Sequence, residues 1–248
     1  MTEDLPRLLL IATVFLIAGG VKGMTGMGLP TVAMGGLGAV MSPVAAASLL
    51  LVPSFVTNIW QLLAGPSFVK LISRLSLMMV GILVGTITSS SVLTSAHTSI
   101  TTMALGVALA LYAASSLLSR PFHVPRSVEL WLSPLVGLIT GLVTGGTGVF
   151  VIPAVPYLQA LDLDKEDLIQ ALGLSFTVST IALAIGLGRG GAITSHELLI
   201  SAMALVPALL GMWAGQEARK RISPETFRRW FLICLLLLGI ELVARPLL

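Results

Sequence analysis

The chain has 248 residues, of which 56% are hydrophobic and 10% charged, with a formal net charge of +3. Soluble domains carry about 25% charged residues, so this chain cannot cover a globule with charge and its apolar surface must meet lipid. The composition excludes a water-soluble enzyme or binding module. The positive balance is no nucleic-acid footprint either, because Lys and Arg sit in short loops between apolar runs.

Glu3 and Asp4 stand beside Arg7, unlike the basic start of a cleaved signal peptide, so the first apolar run is expected to stay in the protein. Runs free of Asp, Glu, Lys and Arg cover 8–21, 23–69, 75–119, 130–161, 168–188, 198–216 and 230–240. Several exceed the roughly 20 residues that cross a bilayer once. Ser42-Pro43, Gly65-Pro66, the Ser/Thr/His patch at 94–99 and the two prolines within 119–127 subdivide them. No ten-residue alternation of a membrane barrel is present, so the elements are helices. Cys234 lies inside the last run and is expected to be packing material, with no disulfide framework.

Read in order, the chain repeats itself. Val21-Lys22-Gly23-Met24-Thr25-Gly26 matches Val143-Thr144-Gly145-Gly146-Thr147-Gly148, and Gly19 and Gly141 complete a GxxxG spacing before each. Ser54-Phe55, ending at Gly65, matches Ser175-Phe176, ending at Gly186; Gly81 and Gly85 match Gly211 and Gly215. One GxxxG pair is weak evidence, but three matches in one order argue duplication. The segments around the motifs, 8–41 and 130–160, are too long for one span: a single helix would rise about 45 Å or more against a hydrocarbon core of about 30 Å.

If each motif segment enters and returns on one side as a pair of short half-helices, ten Lys and Arg fall on one side and three on the other, with Lys22 left in the membrane. Single crossings would split them almost evenly. The positive-inside rule prefers the first arrangement and places loops 119–128 and 218–229 in the cytoplasm. The fold class is then an all-α integral membrane protein of two inverted-topology repeats, each a glycine-broken helical hairpin plus three transmembrane helices. One domain over 1–248 is expected, with repeat 1 at about 5–119 and repeat 2 at about 128–248.

Broken, glycine-interrupted segments at matching places in inverted halves point to a secondary transporter with its site near the midplane, where the breaks meet. A helix break frees N–H groups that can hold an anion, and glycine lets backbone approach the ligand. Lys22 sharpens this, because an ammonium in an apolar run is costly without a partner and no Asp or Glu lies in the central spans. The competing reading is that Lys22 snorkels to water from the hairpin tip.

The glycine-rich hairpins at 20–30 and 141–153, each followed by a helix bearing Ser, Thr or Asn, resemble those of the sulfite exporter TauE/SafE family, also called the TSUP family. The resemblance covers essentially the whole chain. It implies a multi-pass permease of the bacterial inner membrane for sulfite, organosulfonates or related sulfur-containing anions. Met24, Met27 and Phe150, the last at the place matching Gly28, depart from the glycine-rich pattern.

The substrate-binding candidates begin with Lys22, Gly23, Thr25, Gly26 and Gly28 of the first hairpin and Gly146, Thr147 and Gly148 of the second. Ser54, Asn58 and Gln61 recur at i, i+4 and i+7 and share a helix face; Ser175 and Ser179 hold the places matching Ser54 and Asn58. Hydroxyls and amides can donate to sulfonate oxygens and still release them, whereas the plainer reading has them bonding their own backbone or gluing helices. Thr177 and Thr180 form a second pair. The expected partners are a small sulfur-containing anion and membrane lipid, with no nucleic acid, and a proton is one candidate coupling ion. No cofactor is expected, since His97, His123 and His196 lack metal-ligand spacing. The acidic run 162–167 is expected to cap the following helix, Glu241 and Arg245 to form an i, i+4 ion pair, and Arg189 to anchor an outer loop. No set of nucleophile and base argues for an intramembrane enzyme. A passive anion channel is the alternative to a carrier.

Overall fold

The computed structural model describes residues 4–95, 98–118, 123–221 and 223–245. His97, named above, lies outside these residues, as does 119–122 of the loop between the halves. The described residues form ten helices: α1 (Asp4–Thr25), α2 (Leu29–Gly38), α3 (Pro43–Leu63), α4 (Phe68–Leu93), α5 (Thr98–Leu118), α6 (Arg126–Thr147), α7 (Ala154–Gln159), α8 (Lys165–Arg189), α9 (Ser195–Ala218) and α10 (Pro224–Ala244). Among them, α1, α3, α4, α5, α6, α8 and α9 are long and apolar enough to cross a membrane. The protein is an all-α, multi-pass membrane protein.

Each hairpin is unequal, contrary to the expected pair of short half-helices. Its first limb is a 22-residue helix, α1 or α6; its second is the 10-residue α2 or the 6-residue α7. The reason lies in where the glycines take positive φ. Gly26 (φ 78) follows the end of α1, Gly28 (φ 98) opens α2 and Gly148 (φ 74) ends α6, each in a left-handed conformation that breaks a helix at little cost only for glycine. Gly19, Gly23, Gly141 and Gly145 stay helical and serve packing instead. A Cβ at Gly19 or Gly23 would enter the carbonyl of Ala208 or Met212 on α9, and one at Gly141 or Gly145 the carbonyl of Ile82 or Thr86 on α4.

This gives the packing plan. The helix of the first hairpin lies against α9 of the second half, and that of the second hairpin against α4 of the first. The opposing surfaces are also glycine: Gly211 and Gly215 meet Leu16 and Gly20, and Gly81 and Gly85 meet 134–142. Without a hydrophobic force between helices in lipid, close backbone approach through small residues supplies the attraction. Exchanging the halves reproduces further contacts: α3 packs on α9 as α8 packs on α4, while α3 meets α8 and α5 meets α10. Leu29, Met34, Leu49, Met78, Phe150 and Phe176 are buried in the core between these helices.

α3 runs unbroken through Pro53 rather than starting after it. Proline lacks an N–H, so the Leu49 carbonyl four residues back loses its helical donor. Ser201 of α9 replaces that donor: its hydroxyl donates to Leu49 O at 2.7 Å and accepts from the Val52 N–H at 3.1 Å. A neighbouring helix thus satisfies backbone that lipid could not.

At one end of the bundle Arg74 pairs with Glu129 at 2.7 Å, Lys70 with Asp167 at 2.9 Å, and Gln170 Nε2 donates to Leu62 O and Gly65 O. At the other end Ser48 Oγ donates to Ala192 O and Arg245 to Ala39 O. The acidic run does stand at the start of α8, with Asp164 at the N-cap and Glu166 and Asp167 in the first turn, though Asp164 makes no side-chain cap bond and Asp167 is turned to Lys70. Two sequence expectations change here. Arg245 donates to Ala39 O, reaching across to the end of α2. Cys234 is exposed on α10, not packed in the core.

Candidate functional site

Lys22 occupies the last turn of α1, and only 4% of it is exposed. Its Nζ donates to Thr57 Oγ1 at 3.2 Å and to Asn58 Oδ1, both on α3. An ammonium has three donors, so one N–H remains for another acceptor. Asn58 in turn donates from Nδ2 to Ser54 Oγ at 2.9 Å, and Ser54 Oγ lies 3.3 Å from Thr180 Oγ1 of α8. The chain Lys22, Asn58, Ser54, Thr180 therefore crosses from the first half to the second through fully buried groups. Lys22 does not reach along its helix to water; it is held inward by α3.

Beside it lies a cavity of about 380 Å³ lined by α1 (Lys22, Gly23, Gly26), α3 (Thr57, Trp60, Gln61), α8 (Ile169) and α9 (Met212, Gln216, Arg219). A Cβ on Gly26 would meet nothing within 4 Å, so its backbone faces open space. Gln61 donates from Nε2 to Ile169 O at 2.9 Å, while its Oε1 is buried with no hydrogen-bond partner. The lining holds two cationic side chains, Lys22 inside and the exposed Arg219, and no carboxylate. Such a pocket attracts an anion into partly desolvated surroundings where its one buried charge is positive.

The remaining candidates divide by environment. Thr25 and Thr147 do the same job in their hairpins: each hydroxyl accepts an N–H two residues on, from Met27 at 3.3 Å and Val149 at 3.2 Å, and lies 2.9 Å and 2.6 Å from the carbonyls of Val21 and Val143. They close the turns with their own backbone, so they shape the hairpins. Gly28 backs onto Val21 and Phe231. Ser175 and Ser179 are fully buried, with hydroxyls that have no partner.

The second hairpin does not reach the cavity. Gly148 abuts Met34 of α2, Gly146 faces open space elsewhere, and neither they nor Thr147 line the Lys22 pocket. The turn of the second hairpin instead packs on α2, the short limb of the first, away from the lining of this cavity. At the place matching Lys22 stands Thr144, whose hydroxyl donates to Thr140 O at 2.7 Å, and the charge is confined to one half.

Sequence reading missed Thr57, Gln216, Arg219 and Ser201. Thr57 adjoins Asn58 and could have been found from the i, i+4 spacing to Gln61. The α9 residues carry no local signal, because only the packing of α9 on α1 brings them to the site. Among the described residues no group of three His, Cys, Asp or Glu could hold a metal ion.

Comparisons with known proteins agree with this architecture. No curated protein and no solved structure matches the chain. A family model described as sulfite exporter TauE/SafE matches residues 11–242, taking in both hairpins and every helix of the Lys22 cavity. That family is one of transporters and not of enzymes, and the protein with this buried ammonium beside its first glycine turn belongs to the sulfite exporter TauE/SafE family.

Proposed function

We propose that the chain is a secondary transporter that exports sulfite, organosulfonates or related sulfur-containing anions across the bacterial inner membrane. The observation that carries this reading is the Lys22 ammonium, held by two neutral acceptors and facing a cavity without a carboxylate. A protein that keeps a cation there without an acidic partner leaves room for a mobile anion as counter-charge.

In this reading the anion docks on the free N–H of Lys22 with the Gly23–Gly26 backbone alongside. Asn58 orients the ammonium, since its Oδ1 and Nδ2 are both engaged. Gln61 is the polar wall. The single domain of two repeats, about 5–119 and 128–248, lies inverted in the membrane, with the Lys70, Asp167 and Arg219 end in the cytoplasm. The half-exchanged packing of α1 on α9 and α6 on α4 supports that symmetry, as does the charge bias of the loops. Gly146, Thr147, Gly148, Ser175 and Ser179 then belong to the matching half-pathway toward the other face. Rocking of one half against the other alternates access.

The test is counterflow of labelled sulfite in proteoliposomes, with Lys22→Met and Lys22→Arg beside the wild type. Saturable exchange that Lys22→Met abolishes supports a carrier using Lys22. Anion conductance without counterflow would replace the carrier with a channel, and unchanged exchange in Lys22→Met would remove Lys22 from the site.

A further inference from the structure

The Lys22 pocket holds two features that together define the charge and the protonation of what it accepts. The first is electrostatic. Lys22 is the one charged group buried in the pocket, and the other, Arg219, is exposed at the end of α9. The walls from α3 and α8 contribute Thr57, Trp60, Gln61 and Ile169, none of which titrates near neutrality. On α9 the acid next to Arg219's helix turn, Glu217, is paired with Lys220 at 2.6 Å. A singly charged anion against Lys22 neutralises the buried charge of the pocket, while the exposed Arg219 keeps its hydration. A doubly charged one leaves an uncompensated negative charge at the buried end of the pocket, where the low dielectric penalises it.

The second feature is the unpartnered acceptor. Gln61 Oε1 is buried without a hydrogen bond while the Nε2 of the same amide is committed to Ile169 O. Gln61 lies one helical turn from Thr57, which holds Lys22, on the same face of α3. A buried acceptor without a partner is destabilising, and a ligand that brings a donor removes that cost. A fully deprotonated oxyanion has acceptors alone. An oxyanion that still carries a proton offers one donor to Gln61 Oε1 and its charged oxygens to Lys22.

We infer that this site selects the singly charged, proton-bearing form of its oxyanion, hydrogen sulfite over the sulfite dianion, with Lys22 reading the charge and Gln61 the proton. The inference rests on the transporter reading above. Its consequence is that the proton travels as part of the substrate: hydrogen sulfite crosses, and releases its proton on the far side wherever the medium is alkaline enough. No carboxylate relay in the spans is then required for a proton to move with the anion.

The experiment is labelled-sulfite counterflow in proteoliposomes at a series of pH values across neutrality, with sulfate and methanesulfonate as unlabelled competitors. Sulfate is a dianion throughout that range; methanesulfonate is a fixed monoanion without a donor, so its competition reports any titration of the protein itself. The expected result is a half-saturating concentration of total sulfite that rises about tenfold per pH unit above the point where hydrogen sulfite ionises, while the inhibition constant of methanesulfonate does not follow it. Sulfate fails to compete. Gln61→Met raises the half-saturating concentration of sulfite and loses most of the preference for sulfite over methanesulfonate, while the inhibition constant of methanesulfonate stays near that of the wild type. A half-saturating concentration indifferent to pH, or sulfate competing as well as sulfite, overturns the inference while leaving the carrier intact. Absence of counterflow at every pH overturns the carrier reading and this inference with it.

Discussion

Arg74 and Glu129 tie α4 to α6 at the end of the bundle that also holds Lys70 and Asp167. The guanidinium is bidentate, with Nε 2.7 Å from Oε1 and Nη2 2.8 Å from Oε2, and Nη2 also donates to Leu161 O at 3.1 Å. Their side chains are 19% and 9% exposed, so most of the hydration of both charges is lost. Replacing Arg74 with Met leaves a carboxylate buried alone, which costs about 3–5 kcal/mol for a dry pair. A cavity lined by Arg74, Glu129 and Ser133 adjoins this pair and admits water, so about 3 kcal/mol is the expected value. At about 2–4 °C per kcal/mol for a chain of this size, Arg74→Met lowers the midpoint of thermal unfolding by about 6–12 °C. Arg74→Met with Glu129→Leu removes both charges, and the double variant recovers to within about 1 kcal/mol of wild type. The assay is unfolding in detergent micelles, read by helical circular dichroism and by solubility after heating, for the wild type, both single variants and the double. A silent Arg74→Met, or a double variant as unstable as Arg74→Met alone, would show that the pair is solvated and refute the burial argument.

Adjacent glycines on α6 provide a second contrast. Gly145→Ala drives its Cβ into the Thr86 carbonyl and lowers folded yield severely, whereas Gly146→Ala meets nothing within 4 Å and leaves stability unchanged or slightly raised; size-exclusion recovery distinguishes them. Ser201→Ala frees the Leu49 carbonyl and costs about 1–3 kcal/mol, and Pro53→Ala in the same chain restores much of it by supplying an N–H; stability equal to wild type in Ser201→Ala alone would refute the repair role. Arg189→Ala, exposed at the end of α8, slows sulfite exchange at low salt without changing half-saturation, and a changed affinity would instead place Arg189 in the site.

The membrane class and the helical nature of the elements were legible in the sequence because each depends on local chemistry. Charge depletion decides the solvent, run length decides the number of crossings, and glycine motifs recur at matching places whatever the fold does with them. Lys22 was legible for the same reason: an ammonium in an apolar run is conspicuous before any partner is known. Packing decided the rest. Which glycines turn and which pack depends on φ and on what lies opposite, so Gly26, Gly28 and Gly148 could not be told from Gly19, Gly23 and Gly141 by residue type. The first limb of each expected half-helix hairpin became a 22-residue helix, because the turn comes only after Thr25 and Thr147. Ser201 repairing α3 at Pro53, and Met212, Gln216 and Arg219 walling the pocket, are contacts between residues far apart in the chain. A hydrogen bond or a cavity wall of that kind exists only after two helices have chosen each other. The sequence alone therefore determined that a cation would stand inside an apolar run, and the tertiary structure decided that it is buried against α3 and faces a pocket built by α1, α3, α8 and α9.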